Sequence, residues 1–136
     1  LIEFFLENIK LFYEFKIKLA FESDYEPNTL RQFIKKFPSN IFGINYDTGN
    51  SAHLGYNPIE EWDLLGDRII HMHIKDRKLN KGTVRLGSGD VNFDKVFKQV
   101  VKYQYQGQMV LQTARANDNN HKSELVKNLR FLEGFN

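Results

Sequence analysis

Cysteine is absent from the chain, which excludes a disulfide framework and any thiolate metal site and agrees with a reducing, cytoplasmic setting. An excess of one charge is missing too. The 19 Lys and Arg stand against 17 Asp and Glu, a net charge of +2 scattered along the chain, so no basic stripe for nucleic acid is expected. No apolar run approaches the roughly 18 residues that span a bilayer, so no membrane partner is expected, and no basic-then-apolar leader opens the sequence. No GxGxxG follows any strand-like run, which removes support for a dinucleotide fold. An initiator Met is lacking as well. The chain opens at Leu1, inside an apolar pattern with helical spacing and no capping residue, and reads as a carboxy-terminal piece of something longer.

What is present is a chain of 136 residues with 41% hydrophobic and 14% aromatic content, enough for one packed domain over residues 1–136. Ile2, Phe5, Leu6, Ile9, Phe12 and Tyr13 recur at helical spacing. Lys16 to Phe21 then alternates as a strand and closes on Glu22. Asn28 to Phe37 is helical and stopped by Pro38. Ile41 to Tyr46 is a second strand, with Gly43, Asn45 and Asp47 on its inner face. A loop, Thr48 to Asn57, leads to a helix begun by Pro58 that places Trp62 in the core.

The stretch Arg68 to Arg77 (RIIHMHIKDR) is the central strand. Side chains alternate faces along a strand, so Ile70, Met72 and Ile74 are expected on the apolar face and His71, His73 and Lys75 on the other. A long connection from Lys78 to Asp90 follows, with Gly87 and Gly89 as turn residues. Asn92 caps the next helix, Gln108 to Thr113 forms a fourth strand, and a last helix runs from about His121 to Leu132. Strands alternating with helices predict an α/β fold of parallel (β/α) units with right-handed crossovers.

Four polar residues fall at successive strand ends on the inner face: Glu22, Asp47, His73 and Gln112. In parallel α/β folds that edge is where sites are built. A glutamate, an aspartate and a histidine suit a divalent ion such as Mn²⁺, Mg²⁺, Co²⁺ or Zn²⁺, with the Gln112 amide oxygen as a fourth candidate ligand. Such an ion polarises the carbonyl and hydroxyl of a sugar and stabilises an enediolate, while a carboxylate moves the proton. Isomerase or epimerase chemistry on a small sugar follows from that set.

The runs NYDTGN (Asn45 to Asn50), HIKDR (His73 to Arg77), LGSGDVNF (Leu86 to Phe93) and VLQTAR (Val110 to Arg115) together resemble the sugar phosphate isomerase/epimerase family, the xylose isomerase-like (β/α)₈ TIM barrels. The resemblance implies that the chain is the carboxy-terminal half of such a barrel, strands five to eight. It implies that Glu22 is both metal ligand and acid/base carboxylate, that Asp47 and His73 are ligands, and that Arg77 touches substrate. The departure is Gln112, where many members carry a second glutamate; a neutral amide coordinates but cannot abstract a proton. Lys75, Arg115 and Asn50 complete the candidate substrate contacts, and a sugar or sugar phosphate is the expected ligand.

Each residue has a structural alternative. Glu22 is then a strand-end charge paired with Lys18 or Lys75, Asp47 an Asx turn ahead of Thr48, and His71 a hydrogen-bonded core or supporting histidine. Lys75, Arg77 and Arg115 are then solvated, and His53 is a loop residue above the mouth. Two other functions stay open: a noncatalytic sugar-binding relative, to which Gln112 lends support, and an endonuclease-four-like nuclease, against which the shortage of ligands and of basic surface argues. Four units leave two sheet edges to be covered by upstream residues or by a second copy in a homo-oligomer.

Overall fold

The computed structural model describes residues 1–135. Four strands form one parallel sheet in the order β1-β2-β3-β6: β1 (Leu19–Phe21), β2 (Phe42–Asp47), β3 (Ile69–Ile74) and β6 (Gln108–Leu111). The helices α3 (Pro27–Ile34), α5 (Pro58–Leu65), α6 (Phe93–Lys102) and α7 (His121–Glu133) make the crossovers and the closing element. All six residues of β2 are buried, as expected of a central parallel strand covered on both faces.

The amino-terminal pattern folds as two short helices, α1 (Ile2–Glu7) and α2 (Ile9–Glu14), where the periodicity predicted one. Asn8 divides them, and its side-chain amide donates to the Phe4 carbonyl at 2.8 Å. An Asn that bonds the preceding turn competes with helix continuation. The aromatic side chains of this region converge on Phe42, whose ring lies 4.9 Å from Phe37 and 5.8 Å from Phe5. Edge-on and tilted contacts of this kind add to simple area burial.

The central strand corrects the expected alternation. Ile44 pairs with Ile69 but Asn45 pairs with His71, so β3 carries one extra residue, Ile70, at a register shift. Such a bulge turns the inserted side chain to the other face. Ile69, Met72 and Ile74 therefore pack under the helices at 6%, 0% and 2% exposure, and Ile70 lies on the inner face against Gly43. A Cβ on Gly43 would come within 2.5–2.7 Å of the Ile70 side chain, so the bulge requires glycine opposite it.

The strand also ends sooner than its sequence suggests. Asp76–Arg77 (β4) leaves the sheet and pairs antiparallel with Thr83–Val84 (β5). The loop expected at Thr48 begins as a helix, α4 (Thr48–Leu54), closed by Gly55 with φ of 77°. Composition hid it, since Thr, Gly, Asn and Ser are poor helix formers, but Asp47 supplies the cap that starts it.

Candidate metal centre

The site is assembled at the carboxy end of the sheet by the register of β2 on β3. Asp47 is the Cα partner of His73, and Glu22 follows the last residue of β1. Donor atoms of Glu22, Asp47 and His73 all lie within 4.8 Å of one another. His73 Nδ1 stands 3.0 Å from Glu22 Oε2 and 3.8 Å from Asp47 Oδ2. With a proton on Nδ1 the shorter contact is a hydrogen bond; without it the nitrogen lone pair enters the same space as the two carboxylates.

Asp47 divides its two oxygens between tasks. Oδ1 accepts the Asn50 backbone N–H at 2.7 Å, capping α4. Oδ2 faces His73 and lies 3.4 Å from Lys75 Nζ. The Asx-turn and ligand readings of this residue are therefore compatible, one per oxygen. Thr48 ties the same corner to β3, its hydroxyl donating to the Lys75 carbonyl at 2.6 Å and accepting the Lys75 N–H at 3.0 Å.

Glu22 is held by two amides. Asn45 Nδ2 donates to Oε2 at 2.8 Å, and Asn50 Nδ2 to Oε1 at 3.0 Å. Neither Lys18 nor Lys75 forms an ion pair with it among the described residues; Lys75 takes Asp47 instead. Asn50 also accepts from Arg77 Nη1 at 2.9 Å and from Lys75 Nζ at 3.3 Å. The structure thus draws Glu22, Asp47, His73, Asn50, Lys75 and Arg77 into one connected network.

Gln112 and Arg115 stand apart from it. Gln112 lies just past β6, is exposed, and its backbone N–H bonds the Ile74 carbonyl at 3.0 Å. Its side chain makes no hydrogen bond to another described residue. Arg115 is exposed beyond the strand. His71 stacks edge-on against His73 at 5.4 Å between ring centroids, and His53 lies near the end of α4.

Three residues outside the predicted site set matter here. Asn45, on the inner face between Glu22 and His73, has its Oδ1 buried with no hydrogen-bond partner among the described residues. Asp76, fully buried, accepts the backbone N–H of Gly87 at 2.9 Å, Gly89 at 2.8 Å and Val91 at 3.2 Å, pinning the long connection beside the site. Glu61, on α5 and 5% exposed, accepts from Tyr46 at 2.9 Å and from Ser51. Burial, opposed by those two hydroxyls, pushes its carboxyl up to about 7. The strand alternation already placed Asn45 inward; Glu61 carried no such signal, since a charged residue on an amphipathic helix is usually solvated.

The donor set fits a divalent ion. Two carboxylates and an imidazole from three strand ends are hard-to-borderline ligands suited to Mn²⁺, Mg²⁺, Co²⁺ or Zn²⁺, and the Asn45 amide nitrogen stands between two of them, 2.8 Å from Glu22 Oε2 and 3.1 Å from His73 Nδ1. A cavity of about 540 Å³ beyond α4, lined by Ser51, Tyr56, Asp90 and Lys95 among others, includes none of the three donors.

Comparison with known proteins places the fold. Inosose dehydratase of Geobacillus kaustophilus is 25% identical over an alignment covering 76% of this chain and 39% of that protein. A D-tagatose 3-epimerase-like protein superposes with a TM-score of 0.76 at 23% identity, over 98% of this chain and 52% of the other. The IOLI protein, whose crystal structure carries a bound zinc atom, gives 0.77 at 13% identity over 97% and 54%. The chain thus spans about half the length of these solved relatives and less of the curated one, and the structural likeness carries the fold. The family model of the xylose isomerase-like TIM barrel matches residues 2–134, and the chain belongs to that family.

Proposed function

We propose that the chain supplies strands five to eight of a divalent-metal-dependent isomerase or epimerase that acts on a sugar or sugar phosphate by proton transfer through an enediolate. One observation carries this: the convergence of Glu22, Asp47 and His73 donor atoms within 4.8 Å, at the carboxy edge of a parallel sheet in a family whose relatives include an inosose dehydratase and an epimerase-like protein. Glu22, Asp47 and His73 would hold the ion, with Gln112 as a candidate fourth ligand after a turn of its exposed side chain. When bound, the metal supplies Lewis-acid polarisation of a carbonyl and its neighbouring hydroxyl.

Glu22 is the residue that moves the proton. Its carboxylate is oriented by the Asn45 and Asn50 amides, which fix its direction without adding a charge. Lys75 and Arg77 offer fixed positive charge near Asn50, matched to a phosphate or to the oxyanion of an enediolate. Gln112 brings no second base, so Glu22 serves as the single carboxylate of a proton shuttle between adjacent carbons.

Incubation with candidate ketoses in D₂O and Mn²⁺ tests the proposal. The expected result is incorporation of one solvent deuterium α to the carbonyl, lost in Glu22→Gln. Sugar binding with neither product formation nor exchange would contradict it and favour the second reading, a noncatalytic sugar-binding relative, which the neutral side chain at position 112 supports.

A further inference from the structure

Glu61 is a buried carboxylate facing two hydroxyls, and no Lys, Arg or His forms an ion pair with it among the described residues. Such a group is expensive, because burial penalises the charged form and hydroxyl bonds recover part of the loss. An apolar side chain at this position would remove that penalty but leave the buried Tyr46 and Ser51 hydroxyls without their common acceptor. Neither hydroxyl lies on α5, so these bonds tie α5 to two other elements and do not serve the helix itself. The partners of Glu61 suggest another role.

Tyr46 lies on β2 immediately before Asp47. Ser51 lies on α4 immediately after Asn50. Both hydroxyls donate to the same oxygen, Glu61 Oε2, and both residues are buried, at 4% and 6% exposure. One carboxylate oxygen on a third element thus grips the strand and the helix on either side of the segment Asp47–Asn50. Because Asp47 Oδ1 is committed to the Asn50 N–H at 2.7 Å, the position of the first turn of α4 sets where Oδ2 points. We propose that Glu61 is a positioning residue, a clamp on the β2–α4 corner that holds Asp47 Oδ2 and the Asn50 side chain toward Glu22 and His73. The consequence for metal affinity rests on the reading of Asp47 as a ligand; the clamp itself does not.

Two variants and two readouts separate these. Glu61→Gln keeps an oxygen that accepts from both hydroxyls, whereas Glu61→Leu removes it. Mn²⁺ affinity, measured by calorimetric titration, should fall on the order of 10- to 100-fold in Glu61→Leu, the usual cost of losing a supporting partner behind a ligand, and recover in Glu61→Gln. Amide hydrogen exchange at Asn50, read without metal, should speed up in Glu61→Leu and return to the wild-type rate in Glu61→Gln. Ser51→Ala cuts one arm of the clamp, should quicken Asn50 exchange by itself, and serves if Glu61→Leu does not fold. Unchanged Asn50 exchange in a folded Glu61→Leu or Ser51→Ala protein overturns the clamp. A wild-type chain that binds no Mn²⁺ overturns the metal reading alone, and the exchange rates still decide the clamp.

Discussion

At the residue scale, the site works by giving single side chains two tasks at right positions. Asp47 starts a helix with one oxygen and turns the other toward His73 and Lys75. Glu61 shows the opposite economy, a charge placed where it costs stability. Its carboxyl is raised from an ordinary 4.5 to about 7 by burial, so the folded chain binds a proton between those values that the unfolded chain does not. Stability from this group is fully present below about pH 4.5 and is lost as pH rises toward 7, on the order of 3 kcal/mol for a shift of that size. Urea denaturation of wild type and Glu61→Gln at pH 5 and pH 8 reads it: the variant should gain on wild type at pH 8 by that order. Parallel pH profiles would remove the buried-charge account.

Much of this scale was legible. Glu22, Asp47 and His73 were readable because strand alternation fixes a face and strand ends fix an edge, and both rules are local. Asn50 was placed over the mouth only as part of the loop that follows the second strand, and that loop begins as α4. Gln112 and Arg115 were legible as positions but not as contacts, because a long side chain past a strand end is not constrained by the strand's period. The grip of Glu61 on Tyr46 and Ser51 depends on how α5 packs against two other elements, which no single window of sequence contains.

At the element scale, the connection between β3 and α6 is ordered by a buried carboxylate in place of a core of its own. Asp76 takes three backbone N–H groups, and Asp90 Oδ2 takes the Leu79 N–H at 2.7 Å. Asp76→Ala leaves three donors without their acceptor, a loss of about 1–3 kcal/mol for each group that stays buried, and limited trypsinolysis should then cut at Lys78, Lys81 or Arg85 well before the sheet is attacked. Gly89→Ala should do similar damage by a different route. Its Cβ would lie 2.1 Å from Asp76 Oδ1 and 2.7 Å from the Arg77 carbonyl, and overpacking of that kind costs about 1–3 kcal/mol. A variant with wild-type resistance to both urea and trypsin would show that the loop is held elsewhere. The glycines were readable as turn residues; the carboxylate they serve was not, because its partners are 11 to 15 residues away. The bulge at Ile70 escaped for a related reason, since an inserted residue shifts the period without marking itself.

At the scale of the whole molecule, four strands of an eight-stranded design leave β1 and β6 with no strand on their outer sides among the described residues. Val110 pairs with His73, shares its face, and is 44% exposed. The apolar surface is therefore unevenly covered: β2 is buried throughout, whereas three of the four residues of β6 are exposed. Amide exchange should follow that gradient, with β2 and β3 protected on the order of 100-fold more than β6. Equal protection across all four strands would mean that the β6 edge is covered in solution.

The central claim is that Glu22, Asp47 and His73 together form a divalent-metal centre, and the thermal melt of the chain with and without Mn²⁺, Co²⁺ or Zn²⁺ tests it most directly. An ion bound only by the folded chain raises the melting temperature in proportion to the logarithm of its concentration over its dissociation constant. The account predicts such a rise for wild type and its loss in both Asp47→Ala and His73→Ala, each still folded. A wild-type chain indifferent to all three ions, or variants that keep the full shift, would contradict it.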